Sequence, residues 1–171
     1  MVSFKMTADP IYILGVDPGL SGAIALYYAK GDALHVIDVP TTIRKINKKY
    51  KKQIDLYQAA QYIEIHRPYI KFAVIEQVGT MPSQGVTSAF NFGFTTGALH
   101  GIIAACGIPI RTVPPQVWKR KFGLLGQDKD ASRGEASRRC PQHAHLWPLK
   151  KHDGRAEAVL LAIYGSLWEN N

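Results

Sequence analysis

Four carboxylates stand at points of this sequence where side chains can gather on a ligand. Asp17 ends an apolar run and opens the turn Asp17-Pro18-Gly19. Glu76 directly follows Phe72-Ala-Val-Ile75. Asp153 and Glu157 are spaced i, i+4, which puts both on one face of a helix. In α/β sheets, strand ends and helix starts are where ligands are met. Brought together, four carboxylates repel one another unless a cation neutralises them. All-oxygen donors suit Mg²⁺, with Mn²⁺ as a substitute. Two such ions about 4 Å apart can activate a water and stabilise the leaving oxygen in phosphodiester cleavage. Each residue also has an ordinary reading. An Asp before Pro-Gly serves a turn, a strand-end Glu is often solvated, Asp153 complements a helix dipole, and Glu157 can pair with a neighbouring cation.

The elements that must position these groups follow from pattern. Residues 11–16 read as a strand running into a tight turn, 22–28 as its return, and 33–39 as a third strand stopped by Pro40. Ile54, Ala59, Tyr62 and Ile63 recur at near-helical spacing. Residues 72–75 form a short buried strand, followed by a loop rich in Gly, Pro and Ser. Ser88 is placed to cap a long helix through Ala105, closed by Gly107. Residues 108–113 are another strand, and Pro115 suits the first position of a short helix ending near Gly123. Helices are expected over 131–140 and 153–168, with a loop over 142–151. The order β-β-β-α-β-α-β-α-α-α implies a mixed sheet with helices on its faces.

The chain has 171 residues, enough for a single domain (1–171, core about 11–168) with a sizeable core. At 46% apolar and 20% charged it is globular in composition. No apolar run reaches the roughly 18 residues of a membrane helix, and no secretory signal pattern is evident at the N-terminus. Lys plus Arg total 21 against 13 acids, a net charge of +8, which points to a polyanionic partner such as nucleic acid. Two cysteines, Cys106 and Cys140, make no disulfide framework and fit reduced thiols in a cytoplasmic protein.

Several motifs, in order along the chain, resemble those of the RuvC-type Holliday-junction resolvases. Ile13-Leu-Gly-Val-Asp17-Pro-Gly-Leu-Ser-Gly22 resembles their opening motif and Phe72-Ala-Val-Ile-Glu76-Gln77-Val78 their second. Lys150-Lys-His-Asp153-Gly-Arg-Ala-Glu157-Ala resembles the last, in the form of the chloroplast and phage-type branch. Val117-Trp-Lys-Arg-Lys-Phe-Gly123 and Lys129-Asp-Ala-Ser-Arg133 look like that branch too. The resemblance implies an RNase H-like fold, a homodimer and cleavage of four-way DNA junctions with two Mg²⁺ ions per site. It implies that Asp17, Glu76, Asp153 and Glu157 are the catalytic metal ligands. It also implies a cytoplasmic location in a bacterial or phage-infected cell, or an organelle. The third acidic position is a His in some relatives. Asp153 is preferred here over His152 because it shares a helix face with Glu157. Bacterial relatives carry an aromatic residue three positions after the second-motif Glu, used against junction bases. This chain has Gly79 there, leaving Met81 or Phe90 as substitutes. Another RNase H-like nuclease (flap or RNA–DNA hybrid) and a non-catalytic junction-binding module are the rival readings.

Among the basic residues, Lys119, Lys121, Lys129 and Arg133 are the expected DNA contacts, with Lys48 and Lys49 from the basic run 43–52, which otherwise reads as a solvated, mobile loop. Gly93, Gly97 and Gly101 form an i, i+4, i+8 stripe, read either as close packing on the sheet or as helix–helix contact across a dimer. Cys140, His143 and His145 lie near one another, but their spacing matches no zinc-finger pattern and a fourth ligand is missing.

Overall fold

Ile13-Leu-Gly-Val16 is apolar throughout because the strand it belongs to is covered on both faces. The computed structural model describes residues 11–28, 30, 33–46, 48–77, 79 and 85–168, with Ile46 and Lys129 by their backbone alone. In chain order the elements are β1 (Tyr12–Val16), β2 (Ala23–Tyr28), β3 (Leu34–Asp38), β4 (Thr41–Ile46), β5 (Lys49–Ile54), α1 (Leu56–His66), β6 (Ile70–Glu76), α2 (Val86–Ala105), β7 (Ile110–Val113), α3 (Pro115–Lys121), α4 (Lys129–Arg139) and α5 (Asp153–Ser166). Five strands form one sheet in the order β3-β2-β1-β6-β7. The β1–β2 and β2–β3 pairs are antiparallel, and β1–β6 and β6–β7 are parallel. The mixed sheet flanked by helices agrees with the sequence reading.

Alternation along β1 divides the core. Leu14 and Val16 join Ile63, Leu99 and Ile103 from α1 and α2 on one face. Ile13 joins Ala158, Leu161 and Ala162 from α5 on the other. Between them, Gly15 lets α5 lie directly on the strand. A Cβ at this position would fall 2.0 Å from the Ala158 carbonyl oxygen and 2.6 Å from the Ala162 nitrogen. Arg155 fastens the same helix to β3 by a two-pronged pair with Asp38, at 2.6 and 2.8 Å.

Three expectations are corrected. The basic run is not a loop but the hairpin β4–β5, a separate two-stranded sheet with Thr41 opposite Ile54 and Ile46 opposite Lys49. Lys48 turns the chain with φ 64°. One face of this ribbon carries Arg44, Lys49 and Lys51 and the other mixes Ile43, Tyr50 and Ile54 with Lys45 and Lys52, so neither strand shows the clean apolar alternation by which a strand is recognised, and its lysines discourage edge-to-edge pairing. Second, α2 begins at Val86 behind Gly85 with no side-chain cap, so Ser88 lies inside the helix. Third, the glycine stripe does not pack on the sheet. A Cβ at Gly93, Gly97 or Gly101 would meet nothing within 4 Å. The stripe floors an open apolar groove with Leu56, Phe94 and Ile102 on its sides. Within 142–151, the chain forms short 3-10 turns, Pro141–Leu146 and Lys150–His152.

The contrast between two glycines tests the packing account. Gly15→Ala is expected to cost about 3 kcal/mol or more, because backbone atoms of α5 must retreat. Gly134→Ala, on α4 where a Cβ meets nothing within 4 Å, is expected to add up to about 1 kcal/mol through helix propensity. Urea titration followed by circular dichroism measures both.

Candidate active site

Sheet register fixes the first pair of carboxylates. Val16 of β1 lies opposite Ile75 of the parallel strand β6. Asp17 and Glu76 therefore stand side by side where both strands reach their carboxyl ends, about 4.8 Å apart in backbone spacing. Asp153 and Glu157 arrive from the first turns of α5, which starts hard against Asp17. A Cβ on Gly154 would lie 2.6 Å from the Ser21 carbonyl oxygen and 3.0 Å from Asp17 Oδ2. Only glycine lets α5 begin there. The structure thus brings together all four carboxylates singled out in the sequence.

Their electrostatics record the crowding. The Asp17 carboxyl is pushed up to about 7, first by burial and then by Glu157, Glu76 and Asp153, against the opposing pull of the Gly19 N–H. Glu76 is also raised, mainly by burial and further by Glu157, while a hydrogen bond from Trp118 and the charge of Lys119 pull it down.

Neighbouring side chains hold two of the acids. Trp118 Nε1, on a fully buried ring of α3, donates to Glu76 Oε1 at 2.9 Å. Ser132 Oγ, buried on α4, donates to Glu157 Oε1 at 3.0 Å. Lys119 Nζ lies 3.0 Å from the same Glu157 oxygen and 5.1 Å from the Trp118 ring centroid. As positioned, the acids are partnered by protein groups. Among the described residues no group of three or more His, Cys, Asp and Glu is already arranged around a metal position. Their chemistry still fits a hard divalent cation, since an all-oxygen set containing a partly buried, proton-retaining Asp has more negative charge than one lysine balances. Lys119 stands in for part of that positive charge.

The other candidates scatter. Lys121 is exposed on α3, and Lys48 and Lys49 are exposed at the hairpin tip. Lys129 opens α4, and its side chain lies outside the described residues. Arg133 is tied within the fold: Nη2 donates to Asp130 at 2.8 Å and Nη1 to the carbonyls of Trp147 and Pro148 at 3.4 and 3.3 Å. His152 is separated from the carboxylates and lines a different cavity with Lys52 and Arg155. Burial and the positive charge of Arg155 lower its pKa. Phe90 is exposed on α2, and Met81 lies outside the described residues. Sequence reasoning missed the roles of Trp118, Ser132 and Gly154. Trp118 and Ser132 both fall inside the segments that resemble the chloroplast and phage-type branch, but nothing in those segments says that either side chain meets an acid.

Asp17 carries a stability signature. Unfolded, it ionises near 3.8; folded and free of metal, it keeps its proton until about 7. Native stability therefore falls as pH rises through that window, by roughly 4 kcal/mol in all. In EDTA, Asp17→Asn is expected to raise the melting temperature clearly at pH 8 and hardly at pH 4. Equal effects at both pH values would contradict the crowded-site account.

No family model matches the chain. Over 99 residues, 57% of this chain, it is 30% identical to the chloroplastic Holliday junction resolvase MOC1 of Chlamydomonas reinhardtii. The match spans only 11% of that protein's length. Among solved structures, Thermus thermophilus RuvC aligns with a TM-score of 0.53 at 13% identity, covering 94% of this chain and 96% of that one. T. thermophilus RuvC in complex with Holliday junction substrate aligns with a TM-score of 0.55 at 12% identity, with the same coverage. These comparisons bear out the resemblance read from the sequence: the chain is similar to the RuvC-type resolvases, on the side of the chloroplast branch, and its fold is the RNase H-like fold of RuvC.

Proposed function

We propose that this chain is a single-domain, structure-selective endonuclease that resolves four-way DNA junctions by paired phosphodiester cleavage. The observation that carries this reading is the carboxylate cluster at the joined ends of β1, β6 and α5, with Asp17 at its centre. Asp17, Glu76, Asp153 and Glu157 would hold divalent metal, Mg²⁺ by preference with Mn²⁺ as a substitute, two ions per site. When bound, the metal supplies an activated water and stabilisation of the leaving 3′ oxygen. The chain's own groups orient the donors. Trp118 fixes the rotamer of Glu76, Ser132 that of Glu157, and Lys119 balances negative charge and is close enough to the site to meet the substrate phosphate.

The +8 charge supports a DNA partner, with the exposed Lys48, Lys49 and Lys121 as phosphate contacts and Lys129, at the start of α4, as a further candidate. A junction has two-fold symmetry, so a symmetric homodimer sets one site against each of two opposed strands. The open glycine groove of α2 is the face best shaped for a second copy. Among the described residues no helix is long and apolar enough to cross a membrane. Cys106 and Cys140 are both buried and outside any disulfide. This supports a reducing compartment, either the cytoplasm of a bacterial or phage-infected cell or an organelle.

The test is cleavage of a four-way junction, a 5′ flap, an RNA–DNA hybrid and plain duplex side by side, with Mg²⁺ and with EDTA. Symmetric nicking of the junction alone, only with Mg²⁺, is the expected result. Preferred cleavage of flap or hybrid would move the chain to another RNase H-like nuclease class. Asp17→Asn should reduce turnover to background and keep junction affinity, since the basic surface is untouched. A second comparison separates neighbours on α5. Asp153→Ala is expected to lose most activity across a Mg²⁺ titration and His152→Ala to keep a substantial part, because Asp153 contributes to the field at Asp17 whereas His152 faces the other cavity.

A further inference from the structure

We infer that the cavity on the far side of the Leu20-Ser21 turn is a phosphodiester-binding subsite, separate from the carboxylate cluster and filled by a phosphate of the bound strand. The inference rests on the nucleic-acid reading above. The cavity has a volume of about 310 Å³, and Lys52, Lys151, His152 and Arg155 line it with Asp38 and Ser21. Three cations face one carboxylate, so the cavity keeps a net positive charge even with His152 neutral. Its cations come from unconnected parts of the sequence: Lys52 from β5, Lys151 and His152 from the turn before α5, and Arg155 from α5 itself. No single motif marks it.

Its walls are built. Arg155 donates from Nε and Nη2 to Asp38 at 2.6 and 2.8 Å, and from Nη1 to the Leu146 carbonyl at 2.9 Å. The guanidinium is thereby a fixed positive wall. Lys52 Nζ donates to the Leu20 carbonyl at 3.0 Å. That uses one of the three N–H donors of an ammonium and leaves two for a ligand. Lys151, which also lines the cavity, is exposed. A rigid guanidinium with flexible ammonium groups around a polar hollow is the chemistry that recognises a phosphate.

Location gives the subsite its task. Ser21 directly precedes Gly22, where a Cβ would fall 2.8 Å from the Asp17 carboxyl carbon, and His152 directly precedes Asp153, so the cavity adjoins the carboxylates through two chain segments at once. An acidic cluster repels a polyanionic strand. A positive hollow beside the acids offsets that repulsion and fixes the strand's register over them.

Methylphosphonate scanning tests this. Uncharged linkages are placed one at a time around the cleavage point of a junction, and binding is measured in EDTA for the wild type and for Lys52→Gln/Lys151→Gln. Gln at 52 can still donate to the Leu20 carbonyl, and thermal melting verifies that the variant folds. At one position the neutral linkage is expected to weaken wild-type binding about tenfold and the double variant's hardly at all. The salt slope of the double variant should fall by about 0.9 per lost contact. Equal sensitivity of both proteins at every position overturns the subsite while leaving junction binding intact. Wild-type protein that binds no nucleic acid overturns the reading on which the subsite rests. Inorganic phosphate, titrated at constant ionic strength, distinguishes a free anion as the occupant: phosphate binding lost in the double variant, without any position-specific linkage effect, rejects the strand assignment.

Discussion

The closeness of α5 to the end of β1 is the constraint on which the rest of this molecule depends. Two glycines permit it. Gly15 removes the side chain that would drive the strand into the Ala158 carbonyl, and Gly154 removes the one that would strike the Ser21 carbonyl and the Asp17 carboxylate. With any larger residue at either position, the helix must stand off from the sheet. Asp153 and Glu157 would then leave the neighbourhood of Asp17 and Glu76, and the site would dissolve while the sheet itself could still form. Close packing here is therefore a requirement of the chemistry as much as of the core.

That closeness has an electrostatic cost, and the surrounding residues distribute it. Burial is the largest cause of the raised Asp17 pKa, and three further carboxylates add to it. The protein answers from α3 and α4, elements that do not belong to the sheet. Trp118 gives Glu76 a neutral donor, Ser132 does the same for Glu157, and Lys119 brings a full positive charge. None of these removes the excess of negative charge. A site that remains under-neutralised by its own side chains is one that gains from a divalent cation, and the stability of the metal-free fold is lowered accordingly.

How much of this was legible in the sequence varied with the kind of signal. Asp17, Glu76, Asp153 and Glu157 were readable because each sits at an element boundary that local pattern already marks: Pro-Gly after a strand, the end of a buried run, an i, i+4 pair opening a helix. The mixed sheet was readable from strand order. The hairpin β4–β5 was not, since backbone pairing holds it together and its side chains show no clean apolar alternation. Nor was Ser132, whose importance comes from reaching Glu157 across 25 residues of chain. The glycine stripe of α2 left two readings open, packing on the sheet or contact with a second copy, and the structure removes the first, because periodicity marks a face without saying what covers it.

Charge layout ties the carboxylate cluster and the cationic cavity into one surface. On the proposed function, a chain with a surplus of eight positive charges gathers its acids at the point where a phosphate must approach most closely. Long-range attraction brings a polyanion to such a surface but does not carry it over an acidic patch, because the local field there has the opposite sign. Positive groups must therefore stand beside the acids, and within this fold they can come only from what borders the Asp17 turn. Lys119 approaches from α3, on the side of Glu157; Lys52, Lys151 and Arg155 approach from β5 and the start of α5. On the proposed function, the hairpin, which contributes nothing to the main sheet, serves by delivering Lys52 to that border, held there by the Asp55 amide on the Pro40 carbonyl and by buried Ile54.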